Sequence, residues 1–252
     1  MLAPCRSGAE NMARDTAFME RAKATGETVF SVYSWASPTL SLGRNQTAKS
    51  RYDLDEIRRR GIDVVRRPTG GRALLHHHEV TYSVTAPITD DESLRNSYER
   101  INRILIDGLG RLGVRATEAA NGERTPQPGD LPCFAAPAEG ELVTSGAKLV
   151  GSAQLRENGA LLQHGSILID DDQPIIAQLL IETAAANASP SAATLRGLLG
   201  RSPSIQEVAV ALFDGVHALE DPDALPLDES EIRDAALTHM EHYMNELWTW
   251  RR

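Results

Sequence analysis

A tight turn rich in glycine and arginine, flanked by two β-prone runs, constrains the fold of this chain more than any other stretch. The runs are residues 64–67 and 80–85, and Pro68 and the pair Gly70-Gly71 stand between them. Proline restricts one backbone angle, and a glycine pair permits positive φ and a close approach of the main chain to a ligand. We therefore interpret the turn as part of a binding site beside a sheet.

The same turn concentrates cationic side chains. Arg66, Arg67 and Arg72 offer forked donors that suit carboxylate or phosphate oxygens. A solvated turn is the usual explanation for an isolated glycine pair. Here the density of functional residue types favours a site instead.

Three consecutive histidines, His76-His77-His78, follow the turn and are followed by Glu79. Adjacent side chains of a strand point to opposite faces, so at most His76 and His78 could share one ion. The spacing of a zinc protease, with a glutamate between two histidines on a helix, is missing. We expect no metal site, and one histidine that faces a pocket while the others are solvated.

The composition argues against several classes of protein. The 252 residues are 41% hydrophobic and 24% charged, with a formal net charge of −9. An acidic balance disfavours a general nucleic-acid binder, whose surface is basic. The two cysteines, Cys5 and Cys133, are too few for a small disulfide-stapled secreted fold. Because signal-peptide and membrane-span patterns are also missing, we expect a cytoplasmic protein without nucleic-acid or membrane partners.

Hydrophobic periodicity predicts helices and strands along the whole chain. Helices are predicted for residues 10–24, 53–61, 91–112, 208–219 and 232–247, and strands for residues 29–34, 40–42, 141–144, 148–154, 160–163 and 166–169. Met12, Ala13, Ala17 and Phe18 can share one face of the first helix. Ser204 with Glu207 predicts a capping box before residues 208–219, and Asn158-Gly159 predicts a two-residue hairpin turn. Residues 119–132 are predicted to form a long flexible loop that delivers Cys133, and residues 183–203 a mobile linker.

Two residues could carry covalent chemistry. Cys133 is either an inert half-buried thiol, the commoner fate of a single cysteine, or a nucleophile with a positive neighbour that favours the thiolate. Lys148 is a candidate for that neighbour, and its ammonium could also stabilise an oxyanion. His164, placed beside Gly165 at a predicted strand break, is either a ligand contact or a core hydrogen-bonding group. Spacing alone leaves these alternatives open.

Taken together, these segments resemble the biotin/lipoate protein ligase and octanoyltransferase superfamily. The segments that match are residues 66–76, 79–83, 146–154 and 162–168, and residues 11–15 and 247–250 resemble the first helix and the usual ending of the family. A Cys-Phe-x-x-Pro segment, Cys133 to Pro137, lies ahead of Gly146-Ala-Lys148. In this respect the chain is similar to the cysteine-dependent LipM-type octanoyltransferases.

The resemblance implies an α/β (α+β) fold shared with class II aminoacyl-tRNA and biotin synthetases. That fold is a mixed, largely antiparallel sheet packed with helices, here in a single catalytic domain over residues 1–252. The implied reaction is ping-pong acyl transfer. Cys133 would take an octanoyl group from acyl carrier protein as a thioester, and a lysine of a lipoyl domain, such as glycine cleavage H protein, would then attack it.

The resemblance also implies roles for individual residues. Cys133 would be the nucleophile, and Lys148 would hold the acyl carbonyl. The residues expected to wall the substrate pocket are Arg67, Gly70, Gly71, Arg72, His76, Gly151, His164 and Gly165. No cofactor is implied for this reaction. Because the carrier proteins are acidic, docking would need a local basic patch, with Arg44, Arg66 and Arg72 as candidates.

The chain departs from the family pattern at three positions. Arg72 stands where ligases of the superfamily usually have a third glycine, and a large side chain there weighs against the packing of an adenylate. His77 stands where many relatives have aspartate, and Thr16 where an acid is common. Three alternatives remain: a lipoate–protein ligase that uses ATP and magnesium, a lipoyl-domain amidotransferase that uses the same thioester, and an acyl-binding module without turnover.

Overall fold

The polypeptide forms two sheets covered by helices, and the computed structural model describes residues 1–88, 93–119, 133–135, 137–181 and 192–251. Within these ranges the strands are β1 (Val29–Tyr33), β2 (Thr39–Leu42), β3 (Asp63–Arg66), β4 (Leu74–His76), β5 (Glu79–Pro87), β6 (Thr117–Glu118), β7 (Leu142–Thr144), β8 (Ala147–Glu157) and β9 (Ala160–Leu168). The helices are α1 (Gly8–Thr25), α2 (Leu54–Arg59), α3 (Leu94–Arg111), α4 (Ile175–Gln178), α5 (Leu195–Leu199), α6 (Ile205–Leu219), α7 (Ser230–Met244) and α8 (Glu246–Thr249). A short 3-10 turn spans Cys133–Ala135.

The larger sheet has six strands in the order β1-β5-β9-β8-β7-β6, and each neighbouring pair is antiparallel. The smaller sheet has the order β3-β2-β4, with β2 parallel to β3 and antiparallel to β4. The predicted α/β fold with a mixed, largely antiparallel sheet is therefore confirmed.

Helices α1 and α6 each begin with a capping box formed by side chains. Ser7 and Glu10 form a capping box at the start of α1, and Ser204 and Glu207 form the predicted one at the start of α6. Each box satisfies backbone N–H groups that have no partner within the helix. The predicted apolar face of α1 is buried, with Met12, Ala13, Ala17 and Phe18 at its centre.

Helices cover both faces of the larger sheet. Leu161 of β9 belongs to the main core, which includes buried residues of α3 and α6. Its neighbour Leu162 packs instead against Met19 and Ala22 of α1. Consecutive strand residues face opposite sides of a sheet, so α1 lies on the face away from α3 and α6. No helix in the described ranges is both long and apolar enough to cross a membrane.

Two predicted boundaries are wrong. Strand β9 runs through Gly165 without a break. The glycine is required by packing and does not end the strand, since a Cβ at this position would lie 2.5 Å from the carbonyl oxygen of Gly151. The last long helix, α7, ends at Met244, and Leu247 is 82% exposed rather than part of a buried face. Most of the predicted 119–132 loop and residues 182–191 of the predicted linker lie outside the described residues.

Three segments of the fold converge: the β8–β9 hairpin, the glycine turn and the 3-10 turn at Cys133. Asn158 (φ 54°) and Gly159 (φ 85°) make the predicted two-residue turn, and the resulting register pairs Gly151 with Ser166. The 3-10 turn is held against the glycine turn, since the amide of Cys133 donates to the carbonyl of Ala73 at 3.0 Å.

Candidate active site

A cavity of about 220 Å³ lies where the glycine turn, the β8–β9 hairpin and the Cys133 turn meet. The predicted site residues that line it are Cys133, Arg67, Gly71, Arg72, His76, Gly151, His164 and Gly165. Gly70 is not among the lining residues, and Lys148 reaches the site through its contact with Cys133. Wall residues that the sequence did not single out include Tyr33, Trp35, Leu74 and Ser152.

The thiol of Cys133 lies beside the ammonium of Lys148. Lys148 Nζ is 3.4 Å from Cys133 Sγ and donates to the carbonyl oxygen of the same residue at 2.8 Å. The lysine side chain is almost fully buried, whereas Cys133 is half-buried at the cavity wall. A cation this close favours the thiolate, which is the nucleophilic form. The pair can therefore carry acyl transfer through a thioester.

Two neighbours hold the Lys148 ammonium. Glu141, at the edge of β7, accepts from Nζ at 2.7 Å, and the Phe134 ring lies 4.9 Å from the same nitrogen. The sequence did not single out Glu141. A signal was present, because antiparallel pairing of β7 with β8 places residues a few positions before Lys148 close to it.

Gly151 leaves room for the thiol and the amine to meet. A Cβ at this position would lie 3.3 Å from both Cys133 Sγ and Lys148 Nζ. The strand therefore presents bare backbone at the point where the two reactive groups approach one another. A larger residue would push them apart.

Arg67 binds the glycine turn rather than offering its charge to a ligand. Its guanidinium donates to the carbonyl oxygens of Gly70 at 2.8 Å, Arg72 at 2.8 Å and Ser41 at 3.0 Å. Burial lowers the pKa of Arg67, and the nearby Cys133 acts in the opposite direction. The side chain lines the cavity while it fixes the shape of the turn.

The prediction of a basic docking patch is wrong for two of its three residues, Arg66 and Arg72. Arg66 is fully buried and donates to backbone carbonyls, among them those of Gly43 and Thr249. Arg72 is 8% exposed and lies in the cavity wall. Arg44 is half-buried and forms two hydrogen bonds with Glu157. Arg66, at the end of β3, and Arg72, in the turn before β4, are thus buried, and a run of charges in the sequence does not reveal that.

His76 is a buried imidazole in the cavity wall. Its Nε2 lies 2.8 Å from Ser41 Oγ, and its ring stacks on Trp35 with the centroids 3.8 Å apart. Burial lowers the pKa of His76, partly opposed by Glu79. A neutral ring at this place presents a flat surface to the cavity without a charge.

His164 is the centre of a buried chain of hydrogen bonds. Asp15 Oδ2 lies 2.7 Å from its Nδ1, and Thr69 Oγ1 lies 2.7 Å from its Nε2. Tyr33 donates to the same carboxylate oxygen at 3.0 Å, and burial followed by the charge of Asp15 raises the pKa of the phenol. The chain ties α1 and the glycine turn to β9. Sequence reasoning gave Thr69 no role, although it lies within the glycine turn.

The histidine run does not follow the predicted geometry. His77 and His78 form the turn between β4 and β5, so their rings lie 3.7 Å apart instead of on opposite faces. His77 Nδ1 is 2.9 Å from Asp172 Oδ2. The expectation for the individual rings is nevertheless met, since His76 lines the cavity and His77 and His78 are exposed.

Comparison with known proteins places most of the chain in one family. A profile of the lipoyl protein ligase A/B catalytic domain matches residues 7–217. Octanoyltransferase LipM of Carboxydothermus hydrogenoformans is 44% identical over 66% of this chain and 62% of its own length. Octanoyltransferase LipM of Kyrpidia tusciae is 38% identical over 98% of this chain and 96% of its own length.

A solved structure shows the same fold at low sequence identity. The bi-partite lipoate protein ligase of Thermoplasma acidophilum has a TM-score of 0.78 and 20% identity, over 99% of this chain and 94% of that one. This match shows that the chain shares its fold with a lipoate protein ligase, as the sequence led us to expect.

Proposed function

The chain belongs to the lipoyl protein ligase A/B catalytic domain family, and from that premise we propose that it is an octanoyltransferase that works through a thioester on Cys133. The donor is octanoyl-acyl carrier protein, and the acceptor is a lysine of a lipoyl domain such as glycine cleavage H protein. The observation that carries the proposal is the 3.4 Å contact between Cys133 Sγ and Lys148 Nζ at the wall of the cavity. Relatives that match nearly the whole chain are octanoyltransferases.

The first half-reaction makes the acyl-enzyme. The Cys133 thiolate attacks the carbonyl carbon of the donor thioester, a new carbon–sulfur bond forms, and the bond from that carbon to the pantetheine sulfur breaks. The departing pantetheine thiolate takes up the proton that the Cys133 thiol had released. The Lys148 ammonium stabilises the thiolate before attack and the oxyanion during it. Since a thiolate is both a good nucleophile and a good leaving group, this exchange is energetically balanced.

The second half-reaction forms the amide. The neutral amine of the acceptor lysine attacks the thioester carbon, the carbon–sulfur bond breaks, and Cys133 regains its thiol. Reaction through a thioester needs no nucleotide, so we propose that the enzyme works without a cofactor. A cavity of about 220 Å³ is smaller than the roughly 300–1,000 Å³ of sites for drug-sized ligands. It suits a short acyl chain better than an acyl-adenylate, and Arg72 occupies part of its wall.

The same proposal covers the remaining features of the protein. We place the activity in one catalytic domain over residues 1–252, in the cytoplasm, with carrier and lipoyl-domain proteins as partners and without nucleic acid. Because Arg66 and Arg72 are buried, they do not supply the docking charge.

Mass spectrometry of the intact protein tests the proposal. After incubation with octanoyl-acyl carrier protein, we expect one octanoyl adduct on Cys133 that hydroxylamine removes. Cys5→Ser should acquire the adduct at the wild-type rate, since Cys133 and not Cys5 is among the residues that line the cavity. Normal octanoyl transfer by Cys133→Ala would contradict the covalent mechanism.

Parallel assays separate the donor classes. Octanoyl-acyl carrier protein, an octanoylated lipoyl domain, and octanoate with ATP and magnesium are offered to the same enzyme with one acceptor. We expect the carrier protein to be the fastest donor. Faster transfer from the octanoylated domain would identify an amidotransferase, and activity with ATP that survives Cys133→Ala would identify a ligase.

A further inference from the structure

We propose that His77, His78 and Asp172 form a binding site for a divalent transition-metal ion such as zinc. The site lies at the turn between β4 and β5, and none of its three residues lines the cavity. An ion at this place would support the fold and take no part in acyl transfer. The inference therefore goes beyond the proposed function and does not rest on it.

The three side chains place their donor atoms around one point. One nitrogen of each histidine and one carboxylate oxygen of Asp172 all lie within 4.8 Å of one another. His77 Nδ1 is 2.9 Å from Asp172 Oδ2, and the imidazole centroids are 3.7 Å apart. Zinc holds nitrogen and oxygen ligands at about 2.0–2.2 Å, so tetrahedral ligand atoms stand roughly 3.3–3.6 Å from one another. Rotation of the side chains can close the remaining difference.

The turn removes the condition on which the expectation of no metal site depended. Adjacent residues of a strand point to opposite faces, but His77 and His78 lie between β4 and β5, outside both strands. A hydrogen bond to Asp172 needs only one histidine. Here the second imidazole also places a nitrogen within reach of the carboxylate, and a shared ion requires that arrangement.

Two imidazoles and one carboxylate select the class of ion. Histidine is the commonest protein ligand of metals, and two histidines with one acidic residue bind zinc in several enzymes. Magnesium and calcium prefer oxygen ligands. Both histidines are exposed, so water can complete the coordination. We therefore expect zinc, nickel or copper to bind here and magnesium not to compete.

The segments that supply the ligands are already fixed to one another. The carbonyl of His78 accepts from the amide of Ile169 at 2.9 Å. Gln173 bonds both backbone groups of Leu75, since its Oε1 accepts from the amide at 3.0 Å and its Nε2 donates to the carbonyl at 2.7 Å. The same Nε2 donates to Asp172 Oδ1 at 3.3 Å. Outer partners of this kind orient metal ligands.

An ion at this site would tie β4 to the segment that follows β9. Strand β4 carries Leu74 and His76 of the cavity wall. The carbonyl of Ala73, just before β4, accepts from the amide of Cys133. A ligand that binds the folded chain and not the unfolded one stabilises the folded chain. Zinc should therefore stabilise the protein, and β4 in particular.

Titration calorimetry with zinc alone tests the site in the full chain, stripped of metal by a chelator and free of any histidine tag. Cys5→Ser and Cys133→Ser are present throughout, because thiolates also bind zinc. We expect one zinc ion per chain and no binding of magnesium. His77→Ala, His78→Ala and Asp172→Asn should each weaken zinc binding at least about 10–100-fold, the loss that even a missing outer partner produces.

A matched control removes a histidine elsewhere. His217→Ala deletes one exposed imidazole from helix α6 and should leave the stoichiometry and the affinity unchanged. Absence of zinc binding in the parent would overturn the proposal. Parental affinity in any one of the three ligand variants would also overturn it, and so would equal affinity for magnesium.

Thermal unfolding and hydrogen exchange locate the ion without any substitution at the ligands. At free zinc about 100-fold above the Kd, the Tm should rise by roughly 5–10 °C. The amides of residues 73–78 and 169–173 should exchange more slowly with zinc than without it. An unchanged Tm, or protection confined to other parts of the chain, would contradict the site. None of these measurements uses an acyl donor or the Cys133 thiol, so their outcome is independent of the proposed function.

Discussion

Gly151→Ala would place one methyl group against both the thiol and the ammonium, and it tests whether their alignment depends on bare backbone. The added Cβ would lie 3.3 Å from Cys133 Sγ and from Lys148 Nζ, and 3.1 Å from Lys148 Cε. Carbon atoms in contact are normally about 3.5–4.0 Å apart. Both side chains must therefore move away from their present positions.

The expected cost to stability is small, and the cost to the rate is larger. The atoms that must move belong to side chains, and an off-rotamer displacement costs roughly 0.5–1.5 kcal/mol. About 1 kcal/mol lowers the Tm of a chain of this size by roughly 2–4 °C. Misplacing reacting groups by about 1 Å costs on the order of 100-fold in rate. A displacement of a fraction of 1 Å should lower the acylation rate about 10-fold, which corresponds to a loss of about 1.4 kcal/mol of transition-state stabilisation.

The assay combines single-turnover acylation of Cys133 with thermal unfolding. Gly110→Ala is the control, since it adds the same methyl group to helix α3 at a position with no atom within 4 Å. It should keep the acylation rate and raise stability by less than the roughly 0.8–1 kcal/mol that alanine contributes in a helix interior, because Gly110 lies in the last turn of α3. A wild-type acylation rate in Gly151→Ala would refute the idea that this gap aligns the two groups.

Three further perturbations have expected outcomes. Gly165→Ala would press a Cβ against a backbone oxygen at 2.5 Å, so chemical denaturation should show a loss of roughly 1–3 kcal/mol. Asp15→Asn removes the charged acceptor of His164 and Tyr33 and should cost roughly 1–3 kcal/mol in the same measurement; an unchanged midpoint would contradict that role. Because burial lowers the pKa of His76, the unfolded state binds its proton more readily, so stability is fully present above about pH 6.5 and falls as the pH drops below it. His76→Gln should flatten that dependence between pH 7.5 and 5.5, and an equally steep curve in the variant would count against it.

Local sequence chemistry was enough to predict much of the fold. The capping box of α6, the hairpin turn at Asn158-Gly159 and the core face of α1 depend on neighbours within a few positions. Such signals do not need tertiary structure. The fold class came instead from the resemblance of whole segments to a family.

The errors arose where tertiary packing decides. Gly165 was interpreted as a strand break, whereas the close approach of β8 and β9 requires a glycine inside a continuous strand. Arg66 and Arg72 were expected at the surface. Arg66 instead donates to backbone carbonyls that are distant in sequence, and Arg72 lies in the wall of the cavity. Glu141 was missed because its local sequence does not distinguish a buried ion-pair partner from a solvated acid, and only the pairing of β7 with β8 brings it close to Lys148.

The burial of Arg66 ties completion of the site to the order of synthesis. Its guanidinium donates to the carbonyl of Thr249, and Trp248 Nε1 donates to the carbonyl of Arg66 at 2.9 Å. Strand β3 leads directly into the glycine turn, yet these partners are made about 180 residues later. Since domains emerge from the ribosome amino terminus first, a nascent chain would expose a half-bonded cation beside the unfinished cavity. Full support of the glycine turn, and with it an acylation-competent cysteine, should therefore arise only after Trp248 and Thr249 have been synthesised and can reach Arg66.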